Sequence, residues 1–311
     1  MNPKKKNLCI LVLLLTLLFL ILQKNSEVKT SIIFGAELWL TKVFPSLFPM
    51  FILSDLLMSY HLPEYLSNLF GPFFTKLFKT SPYGVFTLFM SLIAGTPSSA
   101  YILKNLSAEQ KITEQEASHL LQFTFFSNPL FLLTMLNVIF PNQPHLIISI
   151  ILIHYSSNLL IGLLLRPKTT PTWTKITFVK TKLNLGTILS NSIKKAMNTL
   201  LLILGTICFY LMLSTIFTLK NPHLNLLMKG FLELTQGLNS LMTNNYSITF
   251  KSILSLFFIC FGGLSIHTQI KSIIEDTSIS YLSFLKGRIL HVIISFLLLF
   301  LLSFTSIAFI S

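Results

Sequence analysis

Glycine and proline interrupt two apolar stretches of this chain near their centres. The first break is Ala-Gly-Thr-Pro at residues 94–97, and the second is Phe-Gly-Gly-Leu-Ser at residues 261–265. Hydrocarbon cannot hydrogen-bond a peptide group, so a broken helix at membrane depth persists only where it is buried in protein or lines a wet cavity. Paired breaks in two halves of a chain typically mark the binding site of a transporter. The two breaks therefore predict a site at which backbone groups bind a solute.

Polar side chains near the breaks could add specificity. The half-helices that begin after Pro97 and Gly263 carry partial positive charge at their N-termini, which suits an anion or another polar ligand. A third interruption, Ser-Asn-Pro at residues 127–129, places Asn128 where its amide could bind a ligand or satisfy backbone groups freed by the proline. The alternative is that glycine and proline only kink packed helices. The predicted substrate-binding residues are Gly95, Thr96, Pro97, Ser98, Asn128, Glu233, Thr235, Gly262, Gly263, Ser265, His267 and Gln269.

Two acidic residues lie in apolar surroundings. Glu233 lies in the otherwise uncharged stretch 231–237, and an ionisable group at membrane depth costs about 2.5 to 3.5 kcal/mol on insertion scales. Glu233 could bind a proton, a cation or the solute, or it could belong to an interfacial surface helix. For Asp55 we expect a structural ion pair with Arg288 that holds helices together, with a hydrogen bond from His267 as an alternative.

Composition places the chain in a lipid bilayer. Of its 311 residues, 52% are hydrophobic and only 11% are charged, which excludes an ordinary soluble domain of this length. The formal charge of +13 comes from basic residues in short loops beside apolar segments. Positive-inside topology or anionic lipid accounts for such residues, so we expect no nucleic-acid partner. The sequence predicts an all-α polytopic membrane protein in contact with lipid, and it leaves a homo-oligomer open.

The sequence lacks the motifs of metal sites and of common enzymes. Its three cysteines lie in separate apolar segments without CxxC spacing, so neither a disulfide framework nor a zinc site is indicated. The patterns HExxH, GxSxG and GxxxxGK[ST] do not occur in the chain. We therefore expect no metal, no cofactor and no enzymatic activity.

Apolar segments long enough to span a bilayer, about 20 residues each, must position these groups. Full-length candidates lie at residues 7–23, 46–60, 145–166, 198–219 and 288–310. We divide the chain into an N-terminal membrane anchor (1–30), a first repeat with its connecting helix (31–166), a basic cytoplasmic linker (167–185) and a second repeat (186–311). Three lysines before the first span predict a cytoplasmic N-terminus.

Equal spacing after the two breaks suggests that the halves are repeats. Gly95 and Ile112 are 17 residues apart, as are Gly262 and Ile279. If the Gly95 segment is a re-entrant hairpin, the first repeat begins outside and the second begins inside, so the two are inverted. If residues 84–106 cross the membrane fully, this topology fails.

A set of short motifs resembles a known family. The motifs lie at residues 43–49 (Val-Phe-Pro-Ser-Leu-Phe-Pro), 93–97 (Ile-Ala-Gly-Thr-Pro), 126–131 (Phe-Ser-Asn-Pro-Leu-Phe), 230–237, 262–269 and 288–291. Their order and spacing are similar to those of the YlbJ-type sporulation integral membrane proteins, built on the Gate, or nucleoside recognition, domain. The family pattern after the first break is similar to Gly-Tyr/Phe-Pro-x-Gly-Ala, whereas residues 95–100 here lack the aromatic residue and the second glycine.

The resemblance implies a membrane protein of endospore-forming bacteria, in the cell, forespore or mother-cell membrane. Its repeats would be Gate domains like those of nucleoside carriers and of the ferrous-iron transporter B family. We expect a secondary transporter or permease that moves a small polar solute during endospore formation. The alternative is a non-transporting membrane scaffold for spore envelope, or cortex, assembly. The fold alone does not fix the substrate.

Overall fold

The computed structural model describes residues 3–168 and 184–310, and for residues 3, 4 and 303–310 it describes the backbone alone. Within these ranges all regular structure is helical, which confirms the predicted all-α class. The helices are α1 (Pro3–Gln23), α2 (Asn25–Leu38), α3 (Phe44–Ser59), α4 (Leu62–Phe78), α5 (Gly84–Ala94), α6 (Ser98–Ala108), α7 (Glu114–Phe123), α8 (Pro129–Ile139), α9 (Pro144–Leu164), α10 (Leu185–Ile216), α11 (Pro222–Leu232), α12 (Leu234–Met242), α13 (Ile248–Phe261), α14 (Gly263–Ile273) and α15 (Tyr281–Ile310), and a π-helical turn, Trp39–Val43, joins α2 to α3. Most of the predicted linker, 167–185, lies outside the described residues.

Long apolar helices are the framework of the molecule. Among the described residues, six are long and apolar enough to cross a bilayer: Lys5–Gln23, Asn25–Ser59, Pro144–Leu164, Leu185–Ile216, Ile248–Ile273 and Tyr281–Leu302. The second and fourth of these pack antiparallel, because the Trp39 ring nitrogen donates to Leu200 O at 2.9 Å and Lys24 Nζ donates to Ile216 O at 2.9 Å. Together they support one side of the inner helices.

The first break is a hairpin, formed by α5 and α6. The open ends of the two helices lie together, since Lys111 Nζ lies 5.7 Å from the centroid of the Tyr83 ring. At the tip Gly95 has a φ of 76°, and a Cβ there would lie 2.6 Å from the backbone nitrogen of Asn128. Only glycine fits this position, because both the backbone angle and the close contact exclude a side chain. The expected re-entrant hairpin at Gly95 is present.

A second hairpin, formed by α11 and α12, has Glu233 at its tip. Gly230 and Gly237 touch where the two helices cross, and both also contact the Phe258 ring. The open ends again lie together, since the ring centroids of His223 and Tyr246 are 5.6 Å apart. Small residues allow this close approach of two helix backbones. The sequence analysis did not identify this hairpin.

Two further helices are broken but do not fold back. An extended stretch, residues 124–128, separates α7 from α8, and both halves lie along α9, where Phe123 meets Gly162 and Leu136 clusters with Ile150. In the second half Gly262, with a φ of 91°, separates α13 from α14 within the 26-residue span Ile248–Ile273. Each half of the chain therefore contains one hairpin and one broken span.

The predicted pairing of Gly95 with Gly262 is wrong. Gly95 is the tip of a hairpin, whereas Gly262 interrupts a span that is long and apolar enough to cross a bilayer. The segments that follow the two breaks also meet at one end of the molecule, where Ser278 N donates to Glu114 Oε1 at 2.9 Å and Lys104 Nζ lies 2.6 Å from Asp276 Oδ1. The Lys104 ammonium lowers the pKa of this exposed Asp276 carboxyl below its ordinary value. The equal 17-residue spacing does not distinguish the two, because a half-helix of 11 residues follows either kind of break.

Candidate binding cavity at the hairpin tips

A cavity of about 80 Å³ lies where the two hairpin tips and the first broken span meet. By this measure a water molecule needs roughly 10 to 15 Å³, so the space holds several waters or a small polar group. Its polar lining includes Lys42, Thr96, Asn128, Glu233, Thr235 and Gln269. All of these except Lys42 are among the predicted substrate-binding residues. Residues from widely separated parts of the chain thus share one space.

Asn128 lines the cavity, but its side chain also has structural partners. Its Oδ1 accepts hydrogen bonds from Leu130 N at 2.9 Å and Phe131 N at 3.2 Å, which caps the N-terminus of α8. Its Nδ2 donates to Ile93 O at 3.2 Å, near the end of α5. Asn128 therefore ties hairpin α5–α6 to the first broken span, whereas the Phe125 carbonyl, four residues before Pro129, accepts from Asn158 Nδ2. A ligand would meet an amide that is already hydrogen-bonded.

Glu233 lies at the tip of hairpin α11–α12 and is only 3% exposed. Its Oε2 accepts hydrogen bonds from the Thr235 hydroxyl and from Gln236 N, at 2.8 Å for the latter. Both bonds go to Oε2 and neither goes to Oε1. The carboxylate caps α12 and also borders the cavity. The alternative of an interfacial surface helix is wrong, because the side chain is buried among the inner helices.

Lys42 is the functional candidate that the sequence analysis missed. It lies in the π-helical turn at the middle of the apolar span Asn25–Ser59 and lines the cavity. Within the described residues, no carboxylate lies within 4.0 Å of its ammonium group. A lysine at the centre of a membrane span is costly and usually serves function, and π-turns are frequent at functional sites. The signal was visible in the sequence as the single charged residue between Glu37 and Asp55.

A second, larger space connects with the cavity, and we call it the vestibule. It has a volume of about 580 Å³ and shares Lys42 and Thr235 with the cavity. It is also lined by Glu37, Val138 and Met242, of which the last two lie at or near the C-terminal ends of α8 and α12. The vestibule therefore approaches the cavity from the end of the molecule opposite to the contact between Glu114 and Ser278.

Asp55 belongs to a contact between hairpin α5–α6 and the outer helices. The Tyr101 hydroxyl, on α6, lies 3.0 Å from both carboxylate oxygens of Asp55, and Lys195 Nζ, on α10, lies 3.8 Å from Oδ2. The predicted ion pair with Arg288 is wrong, as is the predicted hydrogen bond from His267. The reason is packing: α3 lies against α10, whereas α15 lies against α7, α9 and α13.

Arg288 is fully buried and binds both broken spans. It donates to Gln122 O at 3.0 Å and to Cys260 O at 3.4 Å, carbonyls that lie near the C-terminal ends of α7 and α13. It also donates to Asn158 Oδ1 at 3.1 Å, and its guanidinium lies 3.9 Å from the centroid of the Phe125 ring. The C-terminus of a helix carries partial negative charge. The guanidinium therefore stabilises two half-helix ends that the breaks leave without backbone partners.

A buried cluster beside Arg288 contains three potential metal ligands, His154, Cys260 and His291, whose ligand atoms lie within 4.8 Å of one another. The imidazoles already have partners. His291 lies 2.7 Å from Arg288 through Nδ1 and 3.0 Å from His154 O through Nε2, and Ser127 N donates to His154 Nε2 at 3.0 Å. These bonds and the adjacent guanidinium favour a hydrogen-bond network rather than a metal site. The network joins α9, α13 and α15.

The other predicted residues of the second half surround the Gly262 break. A Cβ on Gly263 would lie 3.0 Å from Leu234 N, so this break packs directly on the tip of hairpin α11–α12. His267 bonds the Tyr281 hydroxyl at 2.9 Å and Phe261 O at 3.1 Å, outside the cavity lining. Gln269 lines the cavity, and its amide donates to the Thr206 hydroxyl at 2.9 Å and to the Ser265 hydroxyl at 3.2 Å. Seven of the predicted residues lie behind the walls of the cavity and do not line it: Gly95, Pro97, Ser98, Gly262, Gly263, Ser265 and His267.

Comparisons with known proteins agree with the motif resemblance. Residues 40–141 match the model of the Gate family, described as nucleoside recognition. This match covers Lys42, hairpin α5–α6 and the first broken span. The sporulation integral membrane protein YlbJ of Bacillus subtilis (strain 168) is 29% identical over an alignment of 301 positions. The alignment covers 83% of this chain and 73% of the relative. No solved structure matches the chain. The predicted resemblance is confirmed: this chain is an integral membrane protein with a Gate domain, and it is similar to YlbJ.

Proposed function

We propose that the protein is a secondary transporter and not an enzyme, and that it moves a small polar solute with an acidic group. The observation that carries this proposal is the cavity at the hairpin tips, in which the Lys42 ammonium has no carboxylate within ion-pair distance among the described residues. An ammonium group that lines a cavity and lacks an acidic partner can bind an anion through charge-assisted hydrogen bonds. The N-terminus of α6, which begins beside the cavity at hairpin tip α5–α6, adds partial positive charge.

The helix order supports an inverted repeat with a pairing different from that of the sequence analysis. We pair α5–α9 with α11–α15, because each set contains a hairpin, a broken span and a long unbroken helix in that order. The contact between Glu114 and Ser278 places the beginnings of α7 and α15 at one end of the molecule. Hairpin α5–α6 opens at that end, since it directly precedes α7. Hairpin α11–α12 opens at the other end, since the whole span α13–α14 separates it from α15.

Opposite hairpins that meet at a central site suit alternating access. Rocking of one repeat against the other would expose the cavity to each side in turn. Arg166 and Lys168 follow α9 at the end where hairpin α5–α6 opens, and the basic residues of 167–185 continue from there. By the positive-inside rule we assign this end, and the N-terminus, to the cytoplasm. The vestibule then connects the cavity with the side away from the cytoplasm.

The name of the relative YlbJ supports a role in endospore formation, and we propose the same setting for this protein. A scaffold for spore envelope assembly would need neither a cavity between hairpin tips nor a cation that faces it. The transporter therefore accounts for more of the structure than the scaffold.

The test is a ligand screen of the purified protein followed by uptake. Thermal unfolding is measured with acetate, methanesulfonate, glutamate and inorganic phosphate, and with neutral nucleosides as the comparison set. A ligand at about 100 times its Kd adds about 2.7 kcal/mol of stability, so binding raises the Tm. We expect a rise with one or more of the anions, and entry of the same labelled anion into proteoliposomes. No rise with any anion, or a rise without uptake, would contradict the transport of an acidic solute.

A further inference from the structure

Glu233 and Lys42 lie in the same small cavity and carry opposite charges, which restricts how an anionic solute can bind there. We propose that Glu233 is a proton-binding site of the carrier, protonated when the solute is bound and ionised when the cavity is empty. The inference rests on the proposed function, because it concerns the same cavity. It adds that the proton is the coupling ion of the transporter.

The charge balance of the cavity carries the argument. With the solute absent, the Lys42 ammonium and the Glu233 carboxylate leave the cavity without net charge. An anion that entered beside an ionised Glu233 would bring two negative groups together in a space of about 80 Å³, where the Glu233 side chain is only 3% exposed. Like charges in such a site favour protonation of one of them. A single proton on Glu233 makes the loaded cavity neutral again.

The geometry of Glu233 is compatible with both states. The Thr235 hydroxyl and Gln236 N donate to Oε2, and neither donates to Oε1. A proton on Oε1 would therefore leave both capping bonds of α12 in place. The protonated Oε1 could then donate to an oxygen of the solute. In the empty state Lys42, which lines the same cavity, is the cation available to the ionised carboxylate.

Charged groups on the elements around Glu233 do not replace Lys42 in this role. On α2, Glu37 lines the vestibule and not the cavity. On α11, Lys229 lies one turn before Glu233 and is absent from the cavity lining. On α14, His267 is bonded to Tyr281 and Phe261 O, and α10 contributes only Ile203 and Ile207 to the cavity. The broken span α7–α8 contributes uncharged residues, with His154 behind Ser127.

O–H bonds are the only covalent bonds that form and break in the exchange. A hydronium ion in the vestibule gives its proton to the Glu233 carboxylate and becomes water, and the Lys42 ammonium pairs with the acidic group of the solute. On release the solute leaves, water accepts the proton, and Lys42 and Glu233 again line the cavity with opposite charges. One proton moves with each negative charge of the solute, so transport is driven by a proton gradient.

Infrared difference spectroscopy of the full-length protein in lipid nanodiscs tests the proton site without any solute. We expect a carboxylic acid C=O band to appear as the pH is lowered from about 9 to about 5, a range above the ordinary glutamate pKa of about 4.3. The Glu233→Gln variant should lose the component of this band that comes from Glu233. The matched control Glu116→Gln, whose carboxylate accepts from Ser81 N, should keep it. A band that is absent from the wild type, or unchanged in Glu233→Gln, would overturn the proposal.

A second variant separates a proton site from a simple helix cap. Lys42→Met removes the cation that lines the same cavity, so the midpoint of the infrared band should move to higher pH by up to about one unit. An unmoved midpoint would show that Lys42 does not face Glu233 electrostatically and would overturn the exchange. Uptake of a labelled anion under an imposed proton gradient is then measured separately. A titrating Glu233 without uptake would overturn the carrier function, whereas uptake without a titrating Glu233 would overturn only the proton site.

Discussion

Replacement of Arg288 by methionine should lower the free energy of unfolding by about 3 kcal/mol or more. The change removes the donor for three buried acceptors, Gln122 O, Cys260 O and Asn158 Oδ1. A buried acceptor left without a donor costs about 1 to 3 kcal/mol. Removal of the costly guanidinium offsets part of this loss, because a buried charge is itself unfavourable. The measurement is thermal or denaturant unfolding of the purified protein in detergent.

The matched control for Arg288 is Lys286→Met on the same helix. Lys286 is exposed, so the same loss of positive charge should change the free energy of unfolding by less than about 0.5 kcal/mol. Equal effects of the two substitutions would mean that Arg288 acts only through its charge and not through the half-helix ends. In that case the assigned role of Arg288 would be wrong.

Replacement of Lys42 by methionine should weaken binding of an anionic ligand by about fivefold. Lys42 is exposed, and an exposed charge pair is worth up to about 1 kcal/mol, where 1.4 kcal/mol is a factor of ten. The side chain lines the cavity and has an exposed path along the vestibule, so the fold should tolerate methionine. The measurement is the concentration of anion that gives half of the maximal rise in Tm.

The control for Lys42 is Lys29→Met. Lys29 lies on α2 in the same apolar span and is exposed like Lys42, but it lines neither the cavity nor the vestibule. We expect the anion affinity of this variant to stay within twofold of that of the wild type, because salt screens an exposed charge that lies farther from the site than the Debye length. Equal anion affinity in Lys42→Met and the wild type would refute the anion site.

Part of the cavity was predictable because the backbone groups freed by a broken helix in a bilayer must have polar partners. Gly95 and Gly262 marked the two breaks, and the interruption at residues 127–129 marked a third. These signals led to Thr96 and Asn128 on the cavity wall. Glu233 was identified from its charge in an apolar stretch. Such local signals survive without knowledge of the tertiary structure, because the cost of an exposed peptide group or a charge in hydrocarbon is itself local.

Long-range relations were not predictable from the same residues. Spacing could not tell the hairpin at Gly95 from the continuous span at Gly262, because half-helices of equal length follow both. The partner of Asp55 depends on which helices are neighbours, and Tyr101 and Lys195 come from α6 and α10. Lys42 escaped notice because an apolar segment with one lysine also suits a loop end or a snorkelling side chain. The π-helical turn that aims it at the cavity has no clear sequence signature.

Cysteine labelling at the two hairpin mouths tests the central claim most directly, namely that the hairpins enter from opposite sides and meet at the cavity. Gln110 and Asn244 are both exposed at these mouths, and each is replaced by cysteine in a chain whose native Cys9, Cys208 and Cys260 have been substituted. A membrane-impermeant thiol reagent is applied to intact cells and to inverted vesicles. We predict that Asn244→Cys is labelled in intact cells and Gln110→Cys only in inverted vesicles. Labelling of both positions from the same side would contradict the inverted arrangement and the transport mechanism built on it.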